Sequence, residues 1–309
     1  MSGRKIEKVV ITGATGAVGM ALIQEFINSG IEVLVLCREN SKRNINLPEH
    51  PLVELRYCAL DQLEFIQNDS GKQYDAFYHL AWDGTTGPFR DDMLMQNQNV
   101  RYSIEAVKAA KRFGCKVFIG AGSQAEYGRV KEKLNADTPA FPENGYGIAK
   151  LCAGQMTRIT AQQLGMDHVW VRILSIYGPY DGDQSLIMYT IRELLKGATP
   201  QLTRGEQIWD YLYSEDAARA LHLLAKEGHS DKIYVLGSGK ARALSDYILE
   251  IKDIIRADAE VNFGAVPYGE KQVMYLCADP ESLKKDIGFE ASTTFAQGVE
   301  KVLEWYNNK

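Results

Sequence analysis

The feature that most limits what this chain can become is the run Thr12-Gly13-Ala14-Thr15-Gly16-Ala17-Val18-Gly19. A short apolar strand pattern, Lys8 to Thr12, leads into it. A helical apolar pattern from about Val18 to Ile27 leads out and is ended by Asn28-Ser29-Gly30. Gly13 permits a tight turn, Gly16 lets the backbone come close to a pyrophosphate, and Gly19 permits close packing of helix on strand. The amino end of the helix adds unpaired N–H groups and a favourable dipole. Glycine runs also mark ordinary tight loops, but the placement between a first strand and a first helix predicts a dinucleotide cradle.

The alternation continues downstream. Strands are predicted at Glu32 to Cys37, Leu52 to Tyr57, Asp75 to Leu80, Lys116 to Gly120, His168 to Leu174 and Ile233 to Leu236. Helices are predicted at Met93 to Phe113, Gly145 to Leu164, Leu186 to Lys196, Ser214 to Lys226, Leu244 to Ile255 and Thr294 to Tyr306. Alternating strands and helices imply crossover units. The expected class is therefore α/β, a doubly wound parallel sheet of the Rossmann type, with a smaller C-terminal substrate lobe. Residues 1–175 are assigned to the dinucleotide-binding part, with 214–238 returning to it. Residues 176–213 and 239–309 are assigned to the lobe, where the pattern changes after Tyr177-Gly178-Pro179.

Composition sets outer bounds. A chain of 309 residues, 45% hydrophobic and 24% charged, can bury a full core. A net charge of -5 gives no broad electrostatic footprint for nucleic acid or an anionic membrane. The first apolar stretch is too short and broken to span a bilayer, and no small-residue cleavage site follows it. Five scattered cysteines (Cys37, Cys58, Cys115, Cys152, Cys277) without a C-x-x-C are read as buried free thiols in a reducing cytoplasm. No metal site is expected.

The end of the second strand bears on the cofactor. A ribose 2′-OH is usually held by an acid about twenty residues past the glycines. Here the residues are Cys37-Arg38, with Glu39 next and Ser41, Lys42 and Arg43 close behind. Arg38 is suited to a 2′-phosphate, so NADP is favoured over NAD; a solvated basic loop is the plainer explanation. Asp61 is either an acceptor for the adenine amine or a helix cap. Asn99, within a helical pattern, is either a polar anchor in the core or a turn residue.

Tyr146 and Lys150 stand one helical turn apart on one face. A nearby ammonium is expected to favour the phenolate, and such a tyrosine can exchange a proton as hydride moves at the neighbouring carbon. The lysine can hold the nicotinamide ribose, and Ser123, after the fifth strand, can hydrogen-bond the same substrate oxygen. A second Y-x-x-x-K, Tyr127 to Lys131, leads into a polar, proline-bearing loop, so the later pair is preferred.

With these residues in place the chain resembles the extended short-chain dehydrogenase/reductases, and within them the NAD-dependent epimerase/dehydratase group acting on nucleotide sugars. The resemblance also rests on His79-Leu80-Ala81, Asn99-Val100, Ser123 ahead of Tyr127-Gly128, Arg172 to Pro179, and Trp209-Asp210-Tyr211. It implies a catalytic set of Ser123, Tyr146 and Lys150. It implies cofactor contacts from Gly13, Thr15, Gly16, Ala17, Val18, Gly19, Arg38, Asp61, Leu80, Ala81, Asn99, Tyr146, Lys150 and Ile173. Substrate contacts are implied for Ser123, Gln124, Ser175 and Trp209, and a homodimer through the helices near 93–113 and 145–164.

Several positions depart from that pattern. Relatives that remove water carry an Asp-Glu pair where Gln124 and Ala125 stand. Glu126 comes one step late, and in extended backbone one step turns a side chain to the opposite face. Trp209 stands where many relatives have an arginine for the substrate pyrophosphate, and another arginine is missing near Gly269. Arg204, Lys271 or Arg242 are the substitutes on hand, while Trp209 either stacks on a base or sugar or packs between the lobes. Ser175 replaces a common asparagine. Three functions remain: an NADPH-dependent reductase of a 4-keto nucleotide sugar, a 4-epimerase with tightly bound NAD, and a non-catalytic dinucleotide sensor.

Overall fold

The computed structural model describes residues 3–308. The first half builds strands β1 (Lys8–Thr12), β2 (Glu32–Cys37), β3 (Val53–Tyr57), β4 (Ala76–His79), β5 (Val117–Ser123) and β6 (Asp167–Ile173), with helices α1 (Ala17–Asn28), α2 (Met93–Arg112) and α3 (Gly145–Gln163) between them. The second half adds β7 (Ser175–Tyr177), α4 (Leu186–Leu195), β8 (Gln201–Leu202), β9 (Ile208–Tyr213), α5 (Ser214–Glu227) and β10 (Lys232–Leu236). It ends with β11 (Ala241–Ala243), α6 (Leu244–Arg256), β12 (Asn262–Phe263), β13 (Tyr275–Leu276), α7 (Glu281–Ile287) and α8 (Phe295–Asn307).

The large sheet has seven parallel strands in the order β3-β2-β1-β4-β5-β6-β10. Side chains alternate across it. Val9 and Ile11 face a core shared with α1 and α5, whereas Val10, Leu34 and Phe77 face one shared with α2. Winding reverses between β1 and β4, and a ligand crevice opens at the carboxyl ends of the strands at such a reversal. Strand β9 binds β7, β11 and β13 into a second, small sheet.

Two differences from the sequence reading have local causes. Strand β5 runs three residues past Gly120, so Ser123 closes the strand instead of following it. The extension has no bulk at Gly120 and Gly122 because the Trp170 indole lies there. A Cβ on either glycine would come within 2.4 Å of the indole, and one on Gly154 of α3 within 2.8 Å. The chain end holds three helices rather than two. The additional one, α7, is seven residues long and stops at Gly288 in the left-handed conformation (φ 64°).

Candidate active site

The glycine turn is shaped by contacts behind it. Gly13 has φ 76°, and a Cβ there would lie 2.4 Å from the Ala81 nitrogen, so the segment just after β4 and the turn meet backbone to backbone. At Gly19 a Cβ would lie 2.5 Å from the Gly13 carbonyl oxygen, whereas at Gly16 it would meet nothing within 4 Å. Gly16 caps α1 without a side-chain hydrogen bond, so the first turn keeps donors for an anion. These features fit a pyrophosphate.

In front of the turn lies a cleft of about 220 Å³, walled by Gly13, Thr15, Gly16, Arg38, Leu80 and Ala81, all singled out from the sequence. Ser41, Arg43, Asn44, Leu60, Leu63, Trp82 and Asp83 also line it, over an apolar floor that includes Leu36, Cys37 and Cys58. Ala17, Val18 and Gly19 form the first turn of α1 rather than the wall. Asp61 is exposed on a short helical turn between Leu60 and Leu63, and Ile173 ends β6 beside Ser123. Asn99 is a buried anchor: its Oδ1 accepts from Asp83 N (3.0 Å) and its Nδ2 donates to Asp83 O (2.9 Å). Arg38 reaches Asp83 at 3.8 Å across the cleft, but with 66% and 44% of the two side chains exposed the pair is weak. Arg43 donates to the Tyr180 carbonyl at 2.6 Å, tying the cleft to the segment after β7.

Beyond Trp82 stand the three proposed reacting groups. Asn144 caps α3 by accepting from Gly147 N (2.8 Å), which starts the helix where it puts Tyr146 and Lys150 opposite the end of β5. Tyr146 is half-buried, and its phenol lies near enough to Ser123 for that hydroxyl to favour its ionised form. Arg90 lies 4.4 Å from its ring centroid and Trp82 6.1 Å away, edge to face. Lys150 is buried, and its Nζ donates to the Ala121 carbonyl at 2.6 Å.

The expected phenolate is not what this arrangement favours. Burial pushes the Tyr146 phenol up; the Ser123 hydroxyl and the Arg90 guanidinium oppose it. Burial likewise pushes Lys150 down to about 7, with Glu126 opposing. The ammonium, 5.8 Å from the Tyr146 ring centroid, is turned toward Ala121 and Trp82. The tyrosine therefore stays protonated at neutral pH.

The backbone around Glu126 also corrects the expectation. Gln124–Glu126 is a helical turn, not extended chain. Ser123 caps it by accepting from Ala125 N (3.2 Å), and Glu126 Oε1 accepts from Ser123 N (2.8 Å) and Trp170 Nε1 (3.0 Å). Glu126 Oε2 accepts from Arg172 Nε at 2.6 Å, with both partners buried. Glu126 thus fixes the backbone that carries Ser123. The Ser123…Glu126 spacing is a capping box that the sequence itself signals, whereas nothing local in the sequence marks Trp82 or Arg90.

The second Y-x-x-x-K is different. Tyr127 is core, donating to Asn135 O (2.6 Å) under the Arg172 guanidinium, and Lys131 lies in an exposed loop. Gln124 is half-buried beside Ser123. Trp209 donates to Ser175 Oγ at 2.7 Å and packs against the buried cluster that holds Leu174, Val235, Leu276 and Ala278, between the large sheet and the small one. Arg242 pairs with Glu250 over the Tyr247 ring, leaving Arg204 and Lys271 exposed on neighbouring loops that precede β9 and β13.

All five cysteines are free, and Cys152 is only half-buried. Among the described residues no helix is long and apolar enough to cross a membrane, and no cluster of His, Cys, Asp or Glu is arranged to hold a metal.

The chain belongs to the NAD dependent epimerase/dehydratase family, whose sequence model matches residues 9–237. It is 25% identical over 307 residues to CDP-abequose synthase of Salmonella typhimurium, covering 96% of this chain and 98% of that one. Among solved structures it is similar to UDP-N-acetylglucosamine 4-epimerase from Methanobrevibacter ruminantium, with TM-score 0.88, 23% identity and 99% coverage of each chain. It is also similar to UDP-glucuronic acid 4-epimerase from Bacillus cereus in complex with UDP-glucuronic acid and NAD, with TM-score 0.84, 18% identity, and 97% and 99% coverage.

Proposed function

We propose that the protein is an NADPH-dependent reductase of a 4-keto nucleotide sugar. One observation carries this reading: the cleft wall after β2 presents Arg38, Ser41 and Arg43, and its one lining carboxylate, Asp83, faces Arg38. Such a wall suits a 2′-phosphate and gives a bare 2′-OH no free acid. Reduction of a ketone needs a proton donor, and burial that pushes the Tyr146 phenol up leaves it able to serve as one. Gln124 and Ala125, in place of an acid pair, argue against dehydration.

Bound in the cleft, NADPH would supply the hydride. Tyr146 gives its proton to the substrate carbonyl oxygen, Ser123 hydrogen-bonds that oxygen, and Lys150 holds the nicotinamide ribose. Gln124, Ser175 and Trp209 border the sugar site, and residues 176–213 and 239–309 supply its outer lobe. Arg204 and Lys271 take the substrate pyrophosphate in place of the missing arginines. The alternative is a 4-epimerase with resident NAD, favoured by the likeness to two solved 4-epimerases.

The deciding experiment is the cofactor content of purified protein, followed by turnover with a 4-keto nucleotide sugar. An empty protein that consumes NADPH supports the proposal. Protein that retains NAD and equilibrates two C4 epimers without net NADPH consumption overturns it. Nucleotide sugars should raise the melting temperature, and the rise should shrink in an Arg204→Ala, Lys271→Ala double variant. Arg38→Ala is expected to weaken NADPH binding by about 10- to 100-fold, the worth of one charge-assisted hydrogen-bonding group, and NADH binding far less. Equal losses in a fluorescence titration would end the 2′-phosphate argument.

The chain is further proposed to act as a homodimer in the cytoplasm. On α2 and α3 the apolar side chains Met93, Leu94, Ile148, Met156 and Ile159 are exposed, Leu94 by 81%, and such a surface suits a second copy. Sedimentation should give twice the chain mass, falling to one in Met156→Glu/Ile159→Glu. A monomeric wild type would refute this.

A further inference from the structure

Trp82 has no part in the proposed chemistry, yet it stands where the cleft meets the reacting groups. The Lys150 Nζ lies 3.8 Å from the centroid of its ring, close enough for a direct cation–π contact. Lys150 is only 3% exposed, and its ammonium donates to a neutral carbonyl, that of Ala121, rather than to a carboxylate. Glu126, the acid whose charge acts on it, is already bonded to Arg172, Trp170 and the Ser123 backbone, and His79, which feels the Lys150 charge, is kept neutral by burial, its pKa down to about 3. The indole face is therefore a principal compensation for the buried charge.

The ring is held in place. Its Nε1 donates to Gln96 Oε1 at 2.8 Å. Gln96 is buried, and its own amide donates to the carbonyls of Gly84 and Phe89, both at 2.9 Å. The next peptide, at Asp83, is gripped on both sides by Asn99. The indole also meets the Tyr146 ring edge to face. A ring anchored at its nitrogen, at the adjoining backbone and at its edge is a fixed platform rather than a swinging gate.

We propose that Trp82 is a positioning residue: its anchored indole face keeps the Lys150 ammonium charged and aimed at the nicotinamide end of the cleft. This rests on the reading of Lys150 as the residue that holds the nicotinamide ribose. Burial already brings Lys150 down to about 7. Near that value, loss of one favourable contact with the charged form changes the charged fraction at neutral pH. A lysine whose pKa falls loses its charge at lower pH, so an activity that needs the ammonium fades earlier as pH rises.

The test compares Trp82→Leu, Trp82→Phe and Lys150→Met with wild type. In Trp82→Leu the alkaline fall of kcat/KM should move down by about one pH unit, and the KM for NADPH should rise about tenfold. Trp82→Phe keeps a ring face and should recover most of both. In wild type without cofactor, tryptophan emission should titrate with the Lys150 ammonium near neutral pH, and Lys150→Met should abolish that titration. The emission test holds even if Trp82→Leu fails to fold. A wild-type pH profile and KM in folded Trp82→Leu, with Lys150→Met inactive, overturns the role of Trp82 alone. The same holds for an emission titration that survives in Lys150→Met. Full turnover and NADPH affinity in Lys150→Met would instead overturn the reading of the site on which this inference rests.

Discussion

Tyr146→Phe is expected to lower kcat about a thousandfold while NADPH affinity stays within about twofold, because a positioned general acid is worth roughly 10²- to 10⁴-fold. The substitution removes one hydroxyl. The Phe ring keeps the contacts with Arg90 and Trp82, and α3 keeps the cap from Asn144. Cofactor affinity should survive because Tyr146 is not part of the wall formed by Gly13, Thr15, Gly16 and Arg38. The pH dependence is also constrained. Burial holds the phenol above its usual value, so loss of its proton sets in only at strongly alkaline pH. An alkaline limb beginning nearer neutrality belongs to Lys150, at about 7, and not to Tyr146. Stopped-flow measurement of hydride transfer separates chemistry from product release. Full activity in Tyr146→Phe would refute the assignment.

Glu126→Ala is expected to destabilise the fold by about 3–5 kcal/mol, the usual result of stripping one partner from a buried ion pair. Arg172 would be left buried without its carboxylate, and Trp170 Nε1 would lose its acceptor. Denaturant unfolding measures this. The more informative variant is Glu126→Met with Arg172→Met. Replacing both charges with apolar groups of similar size should restore most of the stability. It should not restore activity, because the Ser123 backbone N–H would still lack the acceptor that fixes it at 2.8 Å. A double variant that is stable and fully active would show that Ser123 needs no such anchor.

The sequence carried the large sheet well because its strands are near-continuous apolar runs and its helices have caps and glycine stops. Lys8–Thr12 and Glu32–Cys37 match the expected bounds, and the other large-sheet strands and flanking helices differ only at their ends. The small sheet is not legible: β13 is two residues long, and β7 and β11 three, below the length at which a period can be seen, as are the two-residue β8 and β12 that pair apart from it. β9 is long enough, but its inward position holds Asp210. That carboxylate is fully buried and accepts from Ser238, Gly239 and Ala278. An acid in the middle of Ile-Trp-Asp-Tyr-Leu-Tyr disguises a strand, because only the folded partners make its burial tolerable.

The candidate site divides in the same way. The glycine turn, Ser123, Tyr146 and Lys150 stand at spacings that local geometry can read. Trp82, Arg90 and the grip of Asn99 on Asp83 depend on the path of the connection from β4 to α2, which no local pattern reveals. The state of Tyr146 depends on a similarly nonlocal cause. Spacing along a helix shows that an ammonium is near, but not that burial of both groups outweighs it.

The indole of Trp170, lying over Gly120, Gly122 and Gly154, has one more consequence. It acts as a shim that sets the stand-off between α3 and the sheet, and thereby how far Tyr146 and Lys150 reach toward Ser123. A methyl added on any of the three facing glycines would collide with the indole, so the contact between β5, Trp170 and α3 tolerates no added bulk at these positions. The loops that carry Arg204 and Lys271 lie outside this packing, so they can change length and charge without disturbing the shim.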